Sequence, residues 1–551
     1  IVTNFGPFIV DESPYNKLQD VGTHRVGDFV FPSYDAPLGI PRRFRRKEGN
    51  LYDNTKTSQL QAKIDYTVRF GDHNYVKAGV EYNYIDLNHK LWEKWNENAY
   101  NVYEFNYHRW PSQTGIYIQD QITYKGIVAN LGIRTDYYYG GGGLWPSGDP
   151  FASDVFTPQA VDSSLFTYLA DGNSYIWDIW NAYDKENPGF LQPIKNHLTF
   201  SPRIGLSFPV TTDSKFYFNY GQYRSNPPYY TMYQFRYRYD KNGLYDMSNP
   251  NLEPPKTVSY ELGITYNFWK SFVVNIAGYY KDVTGENGDV DIVNSSGSLD
   301  YSFQMNNNYE DIQGLEITLS KNDNSWFNMW ANFNYMLKKS GLTGRSTFSD
   351  VVIDNDEASL YQGNEERAVP LPRFNANFIF RTPKDFGPEI LGLDFFGDWV
   401  FTLFTEWKSG NYFTFDPLGK GSLYVNNNLQ WPDYYMADLK ISKTFSFGNV
   451  NATFFLDVSN IFNIKVNLFE RGYAFDNDSD EENYLASLRL PIYDSPEYDN
   501  LRAENDGYYI AGNDKVGDLR SDDKPYINDP NRTFWYYGFP RDIWFGFKVD
   551  F

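Results

Sequence analysis

The sequence predicts an all-β protein whose strands form a transmembrane antiparallel β-barrel. Three observations carry that expectation: two-residue alternation of apolar and polar side chains over long windows, connections that are alternately very short and very long, and an aromatic content of 19% in a chain of 551 residues.

Alternation fixes the element type. Leu60, Ala62, Ile64, Tyr66, Val68 and Phe70 are apolar, while Gln61, Lys63, Asp65, Thr67 and Arg69 between them are polar. Val258, Tyr260, Leu262, Ile264, Tyr266 and Phe268 alternate in the same way with Ser259, Glu261, Gly263, Thr265 and Asn267. Near-matches include Ile127, Ala129, Leu131 and Ile133, and the C-terminal row Ile543, Phe545, Phe547, Val549 and Phe551, which Trp544 interrupts. Successive side chains of a strand point to opposite faces, so each segment reads as a strand with one apolar and one polar face.

The connections decide what the apolar faces meet. Gly71–Asn74, Lys125–Gly126, Thr211–Ser214, Trp269–Ser271, Asn322–Ser325 and Ser446–Asn449 read as tight turns. Between them fall long connections of about 27 residues after Ile85, 60 after Tyr137, 32 after Arg224, 30 after Lys281, 35 after Leu337, 27 after Lys408 and 77 after Asn463. Only the Arg381–Gly392 connection is intermediate. A soluble sandwich has no reason to segregate its loops by end, whereas a transmembrane barrel has tight periplasmic turns and long extracellular loops. Its apolar band and interfacial girdles also explain the 14 Trp, 48 Tyr and 44 Phe.

Composition removes other classes. The most apolar stretch, Leu393 to Phe404, contains Asp394 and Asp398 and falls short of the ~20 residues a spanning helix needs. The absence of cysteine excludes a disulfide scaffold and cysteine-ligated metal or iron–sulfur centres. A net charge of −21 argues against nucleic acid, and the aromatic content argues against disorder.

Roughly fifteen strands are countable between Ser58 and Phe551. An odd number does not close a barrel whose two ends lie on the periplasmic side. Residues 1–57 are therefore expected to be the end of an upstream strand (Ile1–Val10) plus a long extracellular loop (Asp11–Asn50), and 58–551 the C-terminal strands and loops of a larger barrel. Ile1–Asn16 shows neither a basic nor an apolar signal-peptide region.

Several motifs together resemble the TonB-dependent receptors, in the version typical of Bacteroidetes-like outer membranes. Ser201 to Val210 (SPRIGLSFPV), Phe218 to Gln222 (FNYGQ) and Asn226-Pro227-Pro228 resemble the family's mid-barrel signature. Asn249 to Lys256 (NPNLEPPK), leading into Ser259 to Gly263 (SYELG), resembles its loop-to-strand entry, with Pro255 where an acid is usual. Leu456 to Asn463 (LDVSNIFN) resembles its penultimate strand. The resemblance implies a plugged barrel of about 22 strands, of which this chain supplies about the last fifteen, with the plug and the TonB-contacting segment upstream. It implies import across the outer membrane, energised through TonB with ExbB and ExbD, sometimes with a SusD-like surface lipoprotein. It also implies that the terminal Phe545, Phe547, Val549 and Phe551 serve as an assembly signal, and it implies no catalytic residues and no cofactor.

A search for chemistry gives little else. His24, His73, His89, His108 and His197 fall in no zinc-binding spacing, and Gly140–Gly143 reads as flexible loop backbone. Asp476, Asp478 and Asp480 begin a calcium-loop pattern that fails at Glu481 and Ser487; a solvated acidic loop tip is the plainer reading. Arg42, Arg43, Arg45, Arg46 and Lys47 form a basic run in a predicted outer loop, suited either to lipopolysaccharide phosphates or to plain solvation. Trp145, Trp177, Trp180, Tyr229, Tyr230, Tyr233, Phe235 and Tyr237 stand in long loops, either as a ligand platform or as the loops' own hydrophobic cores. Alternative functions are a passive porin, an outer-membrane scaffold or secretion-complex barrel that docks surface proteins, and a soluble lectin or glycosidase.

Overall fold

The alternating segments do form strands, and the strands form one wall. The computed structural model describes residues 50–94, 102–147, 149–151, 175–238, 243–295, 300–323, 325–343, 345–350, 368–390, 394–415, 427–448, 450–464, 478–504, 509–528 and 540–551, with a short hairpin at 24–26 and 29–31. Fifteen wall strands follow in chain order: β1 (Lys56–Phe70), β2 (Asn74–Lys94), β3 (Ser112–Tyr124), β4 (Ile127–Tyr139), β5 (His197–Pro209), β6 (Ser214–Arg224), β7 (Lys256–Phe268) and β8 (Phe272–Val293). They continue as β9 (Asp300–Lys321), β10 (Phe327–Leu342), β11 (Arg373–Arg381), β12 (Trp399–Lys408), β13 (Tyr434–Phe447), β14 (Val450–Ser459) and β15 (Asp542–Asp550). Each is antiparallel to the next in sequence. β1 is in register with β2 and β15 with β14, and among the described residues no register joins β1 to β15.

Register turns the alternation into two surfaces. Ile264, Ile276, Ile317, Phe333 and Phe374 lie side by side across five successive strands. The same outer face continues through Ile133, Leu131, Ile204 and Leu206, all exposed, and reaches Ile64 at 76% exposure. An exposed apolar surface of this extent is incompatible with water but suits hydrocarbon. The opposite face carries the polar partners.

Tight turns close one end of the wall. Lys125 (φ 48°) and Gly126 (φ 84°) both adopt positive φ between β3 and β4, the conformation that a two-residue hairpin requires. Trp269 and Lys270 do the same between β7 and β8.

The other end corrects the expectation of long loops in two places. After Lys281, β8 runs on to Val293 and β9 begins at Asp300, so each strand is 22 residues long. At about 3.3 Å per residue they reach about 70 Å, far beyond an apolar band of about 25 Å. Register shifts around Glu286 interrupt the alternation there, and beyond them Val290, Ile292, Tyr301, Phe303 and Met305 pack into a cluster with loop side chains. After Ile85, β2 continues to Lys94, and Val102–Arg109 returns along it. Asn50–Asp53, expected as loop, pairs with Leu91–Lys94. The Arg42–Lys47 run and the Ile1–Val10 segment lie outside the described residues.

Candidate functional site: the polar wall and the capped rim

The inner face of β1 to β6 is a connected polar network. Asp65 of β1 accepts from Lys77 Nζ of β2 at 3.3 Å and from the Tyr117 hydroxyl of β3, and forms an ion pair with Lys63 Nζ at 3.7 Å. Next to it, Gln61 donates to Glu81 at 2.9 Å, and Arg134 Nη1 reaches the same carboxylate at 3.0 Å. Arg134 also grips Asp136, two residues along β4, through Nε at 2.9 Å and Nη2 at 2.8 Å. Gln113 then donates to Asp136 at 3.0 Å and accepts from Asn226 Nδ2 at 3.0 Å. A continuous path thus runs from β1 to Asn226 of the Asn-Pro-Pro segment. Each charged group has an opposite charge in reach, as a low-dielectric wall demands.

Beside the network lies an open concavity of about 550 Å³, lined among others by Lys77, Tyr117, Arg134, Arg203, Asn219 and Glu261. Arg203 stacks over Tyr223 at 4.7 Å. The inner face continues as Asn275 donating to Tyr217 at 3.1 Å, Asn332 to Glu316 at 2.8 Å and Lys440 to Asp457 at 3.2 Å. It offers donors and acceptors to whatever fills the lumen and, among the described residues, holds no catalytic constellation.

At the long-loop end, among the described residues, the aromatics fall into two hydrophobic clusters, the second of the two readings the sequence left open. The first gathers Trp145, Trp180, Tyr233, Tyr138, Met232 and Val290, with Trp180 and Tyr233 fully buried. The helices α1 (Tyr175–Glu186) and α2 (Tyr229–Tyr233) deliver Trp180 and Tyr233. These rings are loop core, and Tyr229 packs against them, whereas Tyr230 is 61% exposed. The side chains of Trp177, Phe235 and Tyr237 lie outside the described residues.

The second cluster is a cap. The connection between β14 and β15 folds into α3 (Asp478–Ser487), two short 3₁₀ turns at Pro491–Asp494 and Pro496–Tyr498, and α4 (Asp499–Glu504). Tyr484, Leu488, Tyr493 and Ile527 pack with Phe415, Leu429 and Trp431 of the rim hairpin Tyr412–Phe413/Leu429–Gln430. Trp431 stacks on Phe413 at 4.2 Å, and Asn428 Nδ2 donates to the Tyr498 hydroxyl at 2.9 Å. Between cap and rim a cavity of about 700 Å³ is bordered by Trp431, Asp433, Tyr435, Ile492 and Lys515. Asp433 accepts from Trp407 Nε1, the Gly410 amide and the Tyr435 hydroxyl at 3.1 to 3.2 Å.

Inside the cap, burial raises the Asp514 carboxyl, but the Lys524 ammonium, the Arg489 amide and the Tyr526 hydroxyl outweigh it and hold the group below the usual range. Lys524 is raised by Asp518 and then Asp514, at 2.5 and 2.9 Å. Sequence reasoning missed this charge pair, because single acids and lysines in a loop carry no signal.

The remaining motif residues are scattered. Asp478, Asp480 and Glu481 lie on helix α3, which cannot wrap a cation as a calcium loop does; Asp476 is outside the described residues. His73 binds the Thr123 carbonyl at 2.8 Å, His89 stacks on Tyr107 and His108 meets Asp86 at 2.6 Å, while no group of three metal-binding side chains occurs among the described residues. Phe545, Phe547 and Val549 share the outer face of β15, with Phe545 86% exposed, and Phe551 follows the strand.

Solved structures with a similar wall include the FrpB iron transporter from Neisseria meningitidis (11% identity, 75% of this chain and 52% of that one, TM-score 0.46). They also include the outer membrane transporter YddB from Escherichia coli (11%, 76% and 52%, 0.45) and the ferric enterobactin receptor from Pseudomonas aeruginosa (13%, 76% and 50%, 0.44). The chain spans about half the length of these proteins. No curated protein matches. The family model for the β-barrel of TonB-dependent receptor-like proteins matches residues 12–461, which takes in β1 to β14 and leaves the cap and β15 beyond it. The chain belongs to the TonB-dependent receptor family, as a β-barrel integral to the outer membrane rather than an enzyme.

Proposed function

We propose that this chain is the greater part of the barrel wall of an active outer-membrane transporter, importing a substrate held at the extracellular rim and energised through TonB, ExbB and ExbD. The observation that carries the reading is the wall itself, apolar outside and charge-networked inside, in which, among the described residues, β1 takes its register from β2 and β15 from β14. In hydrocarbon each unpaired backbone group costs several kcal/mol. Further strands of the same polypeptide, completing a ring of about 22, satisfy those edges, and an upstream plug docks on the Arg134 and Asp65 networks. Phe545, Phe547, Val549 and Phe551 act as the assembly signal. A SusD-like lipoprotein over the rim is a compatible partner.

Two measurements on the full-length protein test this. In planar bilayers it should hold no steady conductance, and it should bind the periplasmic domain of TonB. A persistent open conductance without TonB binding identifies a passive porin instead.

A further inference from the structure

A buried cation interrupts the outer row of β13. Along β13 the outer row is Leu439, Ile441, Lys443, Phe445 and Phe447, and Lys443 is in register with Trp399 of β12 and Phe454 of β14. An ammonium in that row faces hydrocarbon unless something covers it. Lys443 is 3% exposed. Its Nζ donates to the backbone carbonyl of Asp394 at 2.5 Å and to that of Gly397, and lies 4.6 Å from the Phe445 ring centre.

Both carbonyls belong to the β11–β12 connection, the one tight-end connection of intermediate length. Its described residues, 382–390 and 394–398, therefore fold back over the outer face beside the periplasmic rim. Phe395 packs edge-on against Phe445 at 5.7 Å. The fold is held by Thr382 Oγ1 donating to the Phe396 carbonyl and accepting from the Trp399 amide, both at 3.0 Å, and by Trp399 Nε1 donating to the Phe395 carbonyl at 2.8 Å. Gly397 lets the chain cross itself, since a Cβ there would stand 1.9 Å from the Lys384 carbonyl oxygen. A connection so fixed nevertheless leaves Phe386, Ile390, Phe395 and Phe396 exposed, with Lys384, Asp385 and Glu389 among them.

We propose that this connection is an interfacial anchor that seats Phe386, Ile390 and Phe396 in the periplasmic leaflet, with Lys443 as the pin that holds it against the wall. The occupant is phospholipid, because Phe395 joins the connection through Phe445 to Phe454 of the exposed apolar outer face, and mixed rings and charges suit the headgroup boundary. Lys443 acts through the loop it positions.

The chain has no cysteine, so, once any cysteine elsewhere in the full-length protein is replaced by serine, single-cysteine variants take one fluorophore each. Phe396→Cys and Phe386→Cys are labelled in phosphatidylethanolamine/phosphatidylglycerol vesicles carrying bromine near the headgroup or near the chain end, with Leu262→Cys as outer-wall control and Gln119→Cys as lumen control. Positions 386 and 396 should be quenched by the shallow bromines, 262 by the deep ones and 119 by neither. Adding Lys443→Gln should cut quenching at 396 about twofold and leave 262 unchanged. Quenching of 386 and 396 by aqueous iodide alone, or protection from both agents as by a protein partner, overturns the anchor. An unchanged Lys443→Gln signal overturns the pin. The proposal rests on the membrane reading, and loss of deep quenching at 262 would remove that reading instead.

Discussion

A Cβ at position 115 would stand 2.1 Å from Nη2 of Arg134, so Gly115 and the Arg134 guanidinium occupy one space on the inner wall. Strand β3 gives up a side chain there, and the freed room lets Arg134 bridge Glu81 and Asp136. Gly115→Val should displace the guanidinium and destabilise the barrel by about 1–3 kcal/mol. Combining it with Arg134→Ala should cost less than the sum of the two single changes, because the clash with the guanidinium is gone and only the Asp136 carboxylate, 2.7 Å from that Cβ, must still shift. Urea unfolding of all three variants checks this. Additive effects would mean that the two residues do not share the space.

Neighbours on β7 test the two faces of the wall. Leu262 is about half exposed on the outer face, and Glu261 lines the inner concavity. Leu262→Arg places a charge against lipid and should cost about 2–4 kcal/mol, whereas Glu261→Arg should cost within about 1 kcal/mol. Folding equilibria in vesicles read both. Equal penalties would contradict the assignment of faces.

Much of this wall is legible in the residue pattern, and the illegible parts have physical reasons. β1 and β7 alternate because each separates two solvents, and the Lys125–Gly126 turn shows its chemistry openly. The upper halves of β8 and β9 do not read on from the lower halves, because register shifts around Glu286 break the period before Val290, Ile292, Tyr301 and Phe303 turn to the loop cluster. The inner network was missed because Glu81, Arg134 and Asp136 look like any polar residues of an alternating strand. The available signal was Gly115, since glycine inside a strand marks the close approach of another group. Lys443 breaks an apolar row, and the break marks the β11–β12 connection folding over it. The aromatics of the long connections could be recognised as important but not sorted, because ligand platforms and loop cores use the same rings.

The cap should loosen without loss of the barrel. Trp431 joins rim to cap, buried and stacked on Phe413, and a large aromatic cut to alanine in such a place costs about 3–5 kcal/mol. Trp431→Ala should therefore expose residues 478–528 to brief proteolysis while the heat-dependent gel shift of the barrel persists. Tyr484→Phe tests a smaller loss. Its hydroxyl accepts from the Gly517 amide at 2.9 Å and donates to the Asp518 carbonyl at 2.8 Å, so the cost should be about 1–2 kcal/mol. Cleavage of both variants at the parent rate would show that the cap is held by other contacts.

Charge inside the cap sets its pH range. Asp514 is depressed in the folded protein, so it contributes stability above its unfolded value of about 3.9 and loses that contribution as pH falls through the lower, folded value. Lys524 is raised, so its share is complete below about 10.4 and disappears only as pH rises through the higher, folded value. Protection of the 514–527 segment should accordingly be level from about pH 5 to 9 and fall away below about pH 4. Hydrogen exchange, corrected for intrinsic rates, measures it directly. Asp514→Asn removes the carboxylate that Lys524 and Tyr526 hold, so protection should start lower at neutral pH and lose its acid limb. An acid limb of the same size in that variant would assign the effect to another carboxylate.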